Sequence, residues 1–467
     1  MTPGARIAAA IDILEVLAAC TRPADDVAAS YFRRRRYIGS KDRAQVARHV
    51  YSVLRHRATL DWWVTRAGKG DITIAPRSRI MAALAIAEGE PETEIVASFD
   101  GGRFRPAALA PEEAQLVRGL AGRSLRHPAM PRAVANDIPD WLLQHLEAVY
   151  GERLEEEMAG LNASAPVDLR VNLLKTDREG AMRALAAEHV RAQPTPLSPI
   201  GLRLTERVPL SGLAAFKDGL IEVQDEGSQL AALLLGAKPG MRVVDFCAGA
   251  GGKTLALAAA MANRGKIVAC DTAGWRLDRS GQRLRRAGAT NVERKALSSE
   301  RDPWVKRHAP KGKEGGFDRV LVDAPCLGVG SWRRNPDAKW RATPQDLAEL
   351  QVRQHDILAS AARLVKPGGR LAYVTCSVLR EENEAQAERF LAEAADFTLV
   401  PVAQVWDEAL GPPCPAPTPN GGDYLRLTPA QHGTDGFFVA IFEREKLQSQ
   451  PASFEAPNGA PPDEGGR

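Results

Sequence analysis

Two cysteines stand at the ends of apolar, strand-like runs: Cys326 in DAPCLGVG (323–330) and Cys376 in AYVTCSVL (372–379). A lone cysteine is usually core, since the residue is among the most buried of all. Two of them at strand ends, one directly after Asp-Ala-Pro, suggest instead thiols that open onto a shared crevice, where a thiolate can form a covalent intermediate. An ordinary thiol ionises near about 8.5, so such a site has to favour the thiolate. The remaining cysteines, at 20, 247, 270 and 414, are scattered without a CxxC pair, and the eight histidines form no HExxH pattern. Neither a disulfide framework nor a metal site is expected.

A second group of residues has ligand-binding character. DFCAGAGGKT (245–254) joins a short strand, RVVDF, to a helical run. Its glycines let the backbone approach a ligand, and the helix start offers unpaired N–H groups. A Walker A loop needs glycine five residues before the Gly-Lys pair, but Cys247 stands there. The dinucleotide fingerprint started at Gly249 would end on Thr254, so it fails too. What remains is a turn for a nucleoside without a pyrophosphate, of which S-adenosylmethionine is the common case. The next strand ends at Asp271, where a carboxylate can accept both ribose hydroxyls.

A methyl sulfonium beside two thiols has a chemical rationale. Carbon-5 of cytosine is too poor a nucleophile to attack that donor unaided. A thiolate adding to carbon-6 creates an enamine whose carbon-5 can attack. The carbon-5 proton must then leave before the thiol is eliminated, which requires a second group. Asp323 could hydrogen-bond the protonated pyrimidine. Spacing does not say which thiol attacks.

These residues have to be positioned by a larger framework. At 467 residues, with 44% hydrophobic and 26% charged residues, the chain reads as two to four globular domains. No apolar run reaches the roughly 18 residues of a membrane span. Asp12 and Glu15 interrupt the N-terminal apolar stretch, so it reads as an amphipathic helix and not a signal peptide; a cytoplasmic monomer is expected. Residues 1–135 read as all-helical, although the proline-spaced run HPAMPRAVANDIPDW near their end reads as an extended linker. Residues 136–220 alternate short strands and helices, a small α+β module. Over 221–445 the pattern is regular βαβ with strands apolar on both faces, as in a parallel doubly wound, Rossmann-like sheet. The polar, proline-rich 446–467 reads as a disordered tail. Residues 31–67 carry ten Lys or Arg, Arg33 to Arg36 among them, against Asp42 and Asp61. That run is either a solvated face or a phosphate-facing patch.

DFCAGAGGKT, DAPCLGVGSWRRNPDAKW, YVTCSVLREENE and GTDGFF together resemble the signature motifs of the Nop/Sun family of RNA cytosine-5 methyltransferases, and they span most of 221–445. The resemblance implies that Cys376 is the nucleophile and that Cys326 assists release. It implies a donor site made of Cys247, Ala248, Gly249, Ala250, Gly251, Gly252 and Lys253, with Asp271 on the ribose and Asp323 bordering donor and base. The family has proline where Ala250 stands. It also has an acidic residue near the adenine after the third strand, where this chain reads KALSSE with Ser298 at that position. The helical N-terminus is similar to the NusB-like RNA-binding domain of bacterial ribosomal members. The segment around Arg170 and Asn172 is similar to the family's small RNA-binding subdomain. The implied activity is S-adenosylmethionine-dependent formation of 5-methylcytosine, with small-subunit ribosomal RNA the first substrate. The alternatives are transfer RNA and a non-catalytic RNA-binding or assembly factor. A DNA cytosine methyltransferase fits less well, because it lacks the Thr-Cys partner.

Overall fold

The computed structural model describes residues 1–68, 72–312, 314–411 and 422–446. Cys414 and positions 447–467 of the expected tail lie outside the described residues. Apolar residues at helical spacing close the N-terminal third into a bundle. Helices Pro3–Ala18, Ser40–Arg55, Arg57–Ala67, Pro76–Ala82 and Pro111–Leu120 surround Ile13, Val46, Leu60, Trp63, Ile80 and Leu116. The apolar periodicity from Arg43 to Val64 is broken at His56, whose backbone (φ −107°, ψ 24°) turns one helix into the next.

The proline-spaced run after the bundle is not an extended linker. Pro131 and Pro139 precede short helical turns, Arg132–Ala135 and Asp140–Leu142. These turns bury Ala133, Ile138 and Leu142 in a core shared with Trp332 and Leu379. Between them Asp137 accepts from the Thr59 backbone N–H at 2.9 Å and from its hydroxyl at 3.0 Å. Proline here presets a helix start, which its fixed φ favours, and does not extend the chain.

The middle module is a four-stranded antiparallel sheet: β1 (Asp168–Val171), β2 (Ala192–Pro194), β3 (Gly201–Leu204) and β4 (Ile221–Val223), ordered β2-β3-β1-β4. Helix Arg178–Ala187 covers it, with Leu169, Leu185, Leu202 and Ile221 between. Arg170 and Asn172 are both buried. Asn172 donates to the carbonyls of Gly219 and Ala287, both at 2.8 Å, and Arg170 is buried, which lowers its pKa to about 10.

The largest sheet contains β5 (Arg242–Asp245), β6 (Lys266–Asp271), β7 (Val292–Ala296), β8 (Phe317–Asp323), β9 (Val365–Thr375), β10 (Phe397–Val400), β11 (Leu425–Leu427) and β12 (Phe437–Arg444). Its order is β7-β6-β5-β8-β9-β12-β10, with β11 also on β12. Strands β5 to β9 are parallel, while β10, β11 and β12 run antiparallel to their partners. The sheet is therefore mixed: the chain after GTDGFF folds back beside β9. Strand order reverses between β5 and β8, the place where open α/β sheets bind ligands.

Buried ion pairs join the modules. Asp225 caps helix Glu226–Leu233, and its Oδ2 accepts from Arg333 at 3.2 Å and Arg334 at 2.8 Å. Asp435, just before β12, accepts from both arginines as well. The bundle docks on the same segment: Arg55 donates to the carbonyls of Ala163 (2.8 Å) and Arg333 (2.9 Å), and Arg57 lies over Trp340. Part of the basic run 31–67 is thus internal to the protein. Arg33, Arg34 and Arg36 are exposed, whereas Arg35 stacks on Tyr31.

Arg333→Ala would leave two buried carboxylates short of a partner. Chemical denaturation should show a loss of about 3–5 kcal/mol; a loss under about 1 kcal/mol would show that the network contributes no stability.

Candidate active site

The carboxyl ends of β5, β6, β8 and β9 meet around a cavity of about 380 Å³, within the range of small-ligand sites. Cys247, Asp271, Asp323, Cys326 and Cys376 all line it. The pairing of β8 with β9 sets Asp323 opposite Val374. Each chain then turns over the strand ends, and Cys326 Sγ comes 3.4 Å from Cys376 Sγ. The Gly330 N–H donates to the Cys376 carbonyl at 2.9 Å and ties the two turns together.

The glycine turn after β5 is built for close approach. Gly249 (φ +52°) and Gly251 (φ +80°) adopt left-handed backbone, and a Cβ on Gly249 would stand 2.9 Å from the Arg276 guanidinium. Ala248, Ala250 and Gly252 complete the turn; Ala250 offers its carbonyl to Arg283 at 2.8 Å. Asp271, at the end of β6, accepts from the Gly249 N–H and the Ala273 N–H, each at 2.7 Å. Each oxygen therefore keeps one lone pair for a ligand. Lys253 reaches past the turn, its Nζ 2.7 Å from Asp323 Oδ2. Burial disfavours the ammonium there, but the Asp323 charge outweighs it and holds its pKa above the ordinary value.

The thiols are not equivalent. The hydrogen bond to Cys376, burial, and the nearby Glu382 charge push the Cys326 thiol well up. Burial and then the carboxylates of Asp323, Asp245 and Asp271 push the Cys247 thiol well up also.

Ser298 is not among the residues that line the cavity. Its N–H and hydroxyl both donate to Asp302 Oδ2 at 2.8 Å, while Leu297 and Glu300 line the cavity. An acidic residue therefore does follow β7 at this wall, two positions beyond Ser298, and KALSSE contained it. Arg276 and Arg353 also line the cavity and were not foreseen. Each comes from a helix, and nothing in helical spacing marks which arginine faces a site. Among the described residues, no group of His, Cys, Asp and Glu has the arrangement of a metal site, and no helix is long and apolar enough to cross a membrane.

These features fit S-adenosylmethionine. The turn brings backbone close to the cavity, a carboxylate with free lone pairs stands at the second strand, and the cavity suits a nucleoside.

Residues 232–443 match the family model of the 16S rRNA methyltransferase RsmB/F, and residues 138–211 match the ferredoxin-like domain of RsmF/B-like methyltransferases. The chain is 35% identical over 417 residues to a ribosomal RNA small subunit methyltransferase B of Xylella fastidiosa, covering 87% of this chain and 92% of that one. It is 30% identical over 415 residues to the protein of that name from Escherichia coli, covering 86% and 91%. The crystal structure of PH0851 has a TM-score of 0.74 at 25% identity, covering 95% of this chain and 99% of its own. A methyltransferase homologue from Pyrococcus horikoshii has a TM-score of 0.58 at 29% identity, covering 69% and 100%.

Asp245, under the turn, gives a pH test. Burial pushes its carboxyl up to about 7, against the opposing hydrogen bond from Thr254 Oγ1 at 2.6 Å. The folded protein thus keeps a proton that the unfolded chain releases near about pH 4. Stability from neutral Asp245 is complete below that pH and is lost as pH rises through about 7. Asp245→Asn cannot ionise and keeps an acceptor for Thr254. Relative to wild type, its unfolding free energy should gain about 1.4 kcal/mol per pH unit across that window. Parallel stability curves for the two proteins would contradict this.

Proposed function

The chain belongs to the RsmB/F family of 16S rRNA methyltransferases, enzymes that use S-adenosylmethionine, and on that premise we propose that it forms 5-methylcytosine in small-subunit ribosomal RNA through a covalent cysteine adduct. The observation that carries this reading is the pair of thiols 3.4 Å apart beside the Lys253–Asp323 ion pair. A methyltransferase acting on a ribose hydroxyl or an exocyclic amine needs no nucleophilic thiol, still less two. Cytoplasmic location follows from a ribosomal substrate and belongs to the same proposal.

When bound, S-adenosylmethionine would supply an electrophilic methyl group. The turn Cys247–Lys253 and Asp271 would hold it, with Leu297 and Glu300 on the wall nearest its base. Cys376 attacks carbon-6 of the cytosine: the S–C bond forms as the 5,6 double bond opens toward carbon-5, and the electron pair on carbon-5 would then take up the methyl group. Asp323, paired with Lys253, accepts a hydrogen bond from the protonated ring. The raised pKa of Cys326 supports this division of labour, because its thiol keeps the shared proton and donates to the Cys376 sulfur. Burial and the Glu382 charge, the causes that persist once Cys376 is bonded to carbon-6, make Cys326 a strong base after its own proton has passed to water. It then removes the carbon-5 proton. The C–H pair becomes the 5,6 double bond, and the C–S bond breaks to return Cys376 as a thiolate.

Cys376→Ala should abolish methylation and form no covalent RNA complex. Cys326→Ala should still transfer methyl and then stall, leaving a protein–RNA adduct that survives a denaturing gel. An adduct with Cys376→Ala but none with Cys326→Ala would reverse the roles, and normal methylation by both would end the covalent reading. Separately, Asp271→Ala should weaken S-adenosylmethionine binding by about 1–3 kcal/mol, and unchanged calorimetric affinity would remove Asp271 from the donor site.

A further inference from the structure

Cys326 lies on a turn, where a side chain is held only as well as its flanking peptide groups. Both of those groups are held. The Pro325 carbonyl accepts from Gln354 Nε2 at 2.9 Å, and the Leu327 N–H donates to Glu382 Oε1 at 2.9 Å. The two side chains are joined to each other, Gln354 Nε2 donating to the same Glu382 oxygen at 3.0 Å. Gln354 comes from helix Pro344–Ala362 and Glu382 from the turn Arg380–Glu382 beyond β9, and both side chains are fully buried.

This bridge is a costly way to fasten a loop. Glu382 Oε2 and Gln354 Oε1 are buried with no hydrogen-bond partner, and an apolar pair would avoid that penalty. Apolar side chains, however, cannot hold one peptide carbonyl and one peptide N–H on either side of a single residue. Burial raises the Glu382 pKa, and the carboxylate in turn helps raise that of Cys326, which suits a base that has to take a proton from carbon.

We propose that Gln354 and Glu382 form a clamp of positioning residues that aims Cys326 at the carbon-5 proton, so that they govern release of the methylated base and not the attack of Cys376. The inference rests on the assignment of Cys326 as the release base. In the balanced step, Cys326 as thiolate gains the carbon-5 proton, the C–H pair forms the double bond, and the pair of the breaking C–S bond leaves on Cys376. A displaced Cys326 slows this step alone.

The test uses the full-length protein, substrate RNA carrying tritium at carbon-5 of cytidine, and S-adenosylmethionine. Gln354→Ala and Glu382→Ala should each accumulate the gel-stable adduct seen with Cys326→Ala. Tritium release should fall at least tenfold, while methyl transfer in the first turnover, donor affinity and melting temperature stay near wild type. Glu382→Gln keeps an acceptor for the Leu327 N–H and should restore turnover to within threefold of wild type. Three outcomes would overturn the clamp: normal tritium release by both alanine variants while Cys326→Ala traps adduct, loss of donor binding in step with turnover, or trapping by Glu382→Gln as strong as by Glu382→Ala. If Cys326→Ala itself traps nothing, the assignment of Cys326 falls first and the clamp falls with it.

Discussion

The pairing of β8 with β9 is the constraint on which the site depends, because the two cysteines share no local sequence and meet only through this ladder. With Asp323 opposite Val374, the first residues past each strand end emerge side by side. The Ala324 N–H extends the ladder by one bond to the Val374 carbonyl, and Gly330 closes the far side of the loop on Cys376. A slip of one residue would turn every side chain of a strand to the opposite face. Here it would bury one thiol under the sheet and leave Asp323 away from Lys253. Register is secured by burial: Val320, Leu321, Val322, Leu371, Ala372 and Tyr373 are all fully enclosed, with both faces of the sheet covered.

The rest of the molecule bears on the loop that follows Cys326. Trp332 enters the core formed by the 133–161 segment, and Arg333 and Arg334 pair with Asp225 and Asp435. Lys339, fully buried, donates to the Arg55 carbonyl at 2.9 Å and to Asn162 at 2.7 Å. Helical bundle, middle module and the loop leading into β12 therefore all contact one stretch, 332–341. A loop held only by local hydrogen bonds would sample many conformations. This one is held from three sides, which explains why so many charged residues of the motif following Cys326 point inward and are not free for RNA.

What the sequence revealed and what it hid follow from one distinction. Strands β5, β6, β8 and β9 were legible as apolar runs, and the residues at their ends were legible with them, because a parallel sheet exports its strand ends to one edge. Cys247 came through the resemblance of its turn to the family's donor loop, whereas Asp271, Asp323, Cys326 and Cys376 were found this way. Arg276, Glu300 and Arg353 were not, since they approach the cavity from helices and a loop whose orientation is set by packing. The proline-spaced segment 127–141 was misread for a related reason: proline excludes helix interiors but favours helix starts, and only tertiary burial of Ile138 and Leu142 chooses between these. Arg55 belonged to a basic run whose charge allowed a phosphate-facing patch, although the fold uses it for internal hydrogen bonds.

Three cysteines share the cavity, and the charge distribution separates them. Cys247 is held in a poorly solvated place facing Asp323, Asp245 and Asp271, so a thiolate there is disfavoured by burial and by the neighbouring acids. Cys326 is disfavoured by Glu382 and by its own hydrogen bond to Cys376. Lys253, the cation whose charge is raised by both Asp323 and Cys376, stands on the side of Cys376. The geometry thus provides one sulfur near a cation and one beside a carboxylate. That is the separation a reaction needs when the first must attack as an anion and the second must later accept a proton from carbon.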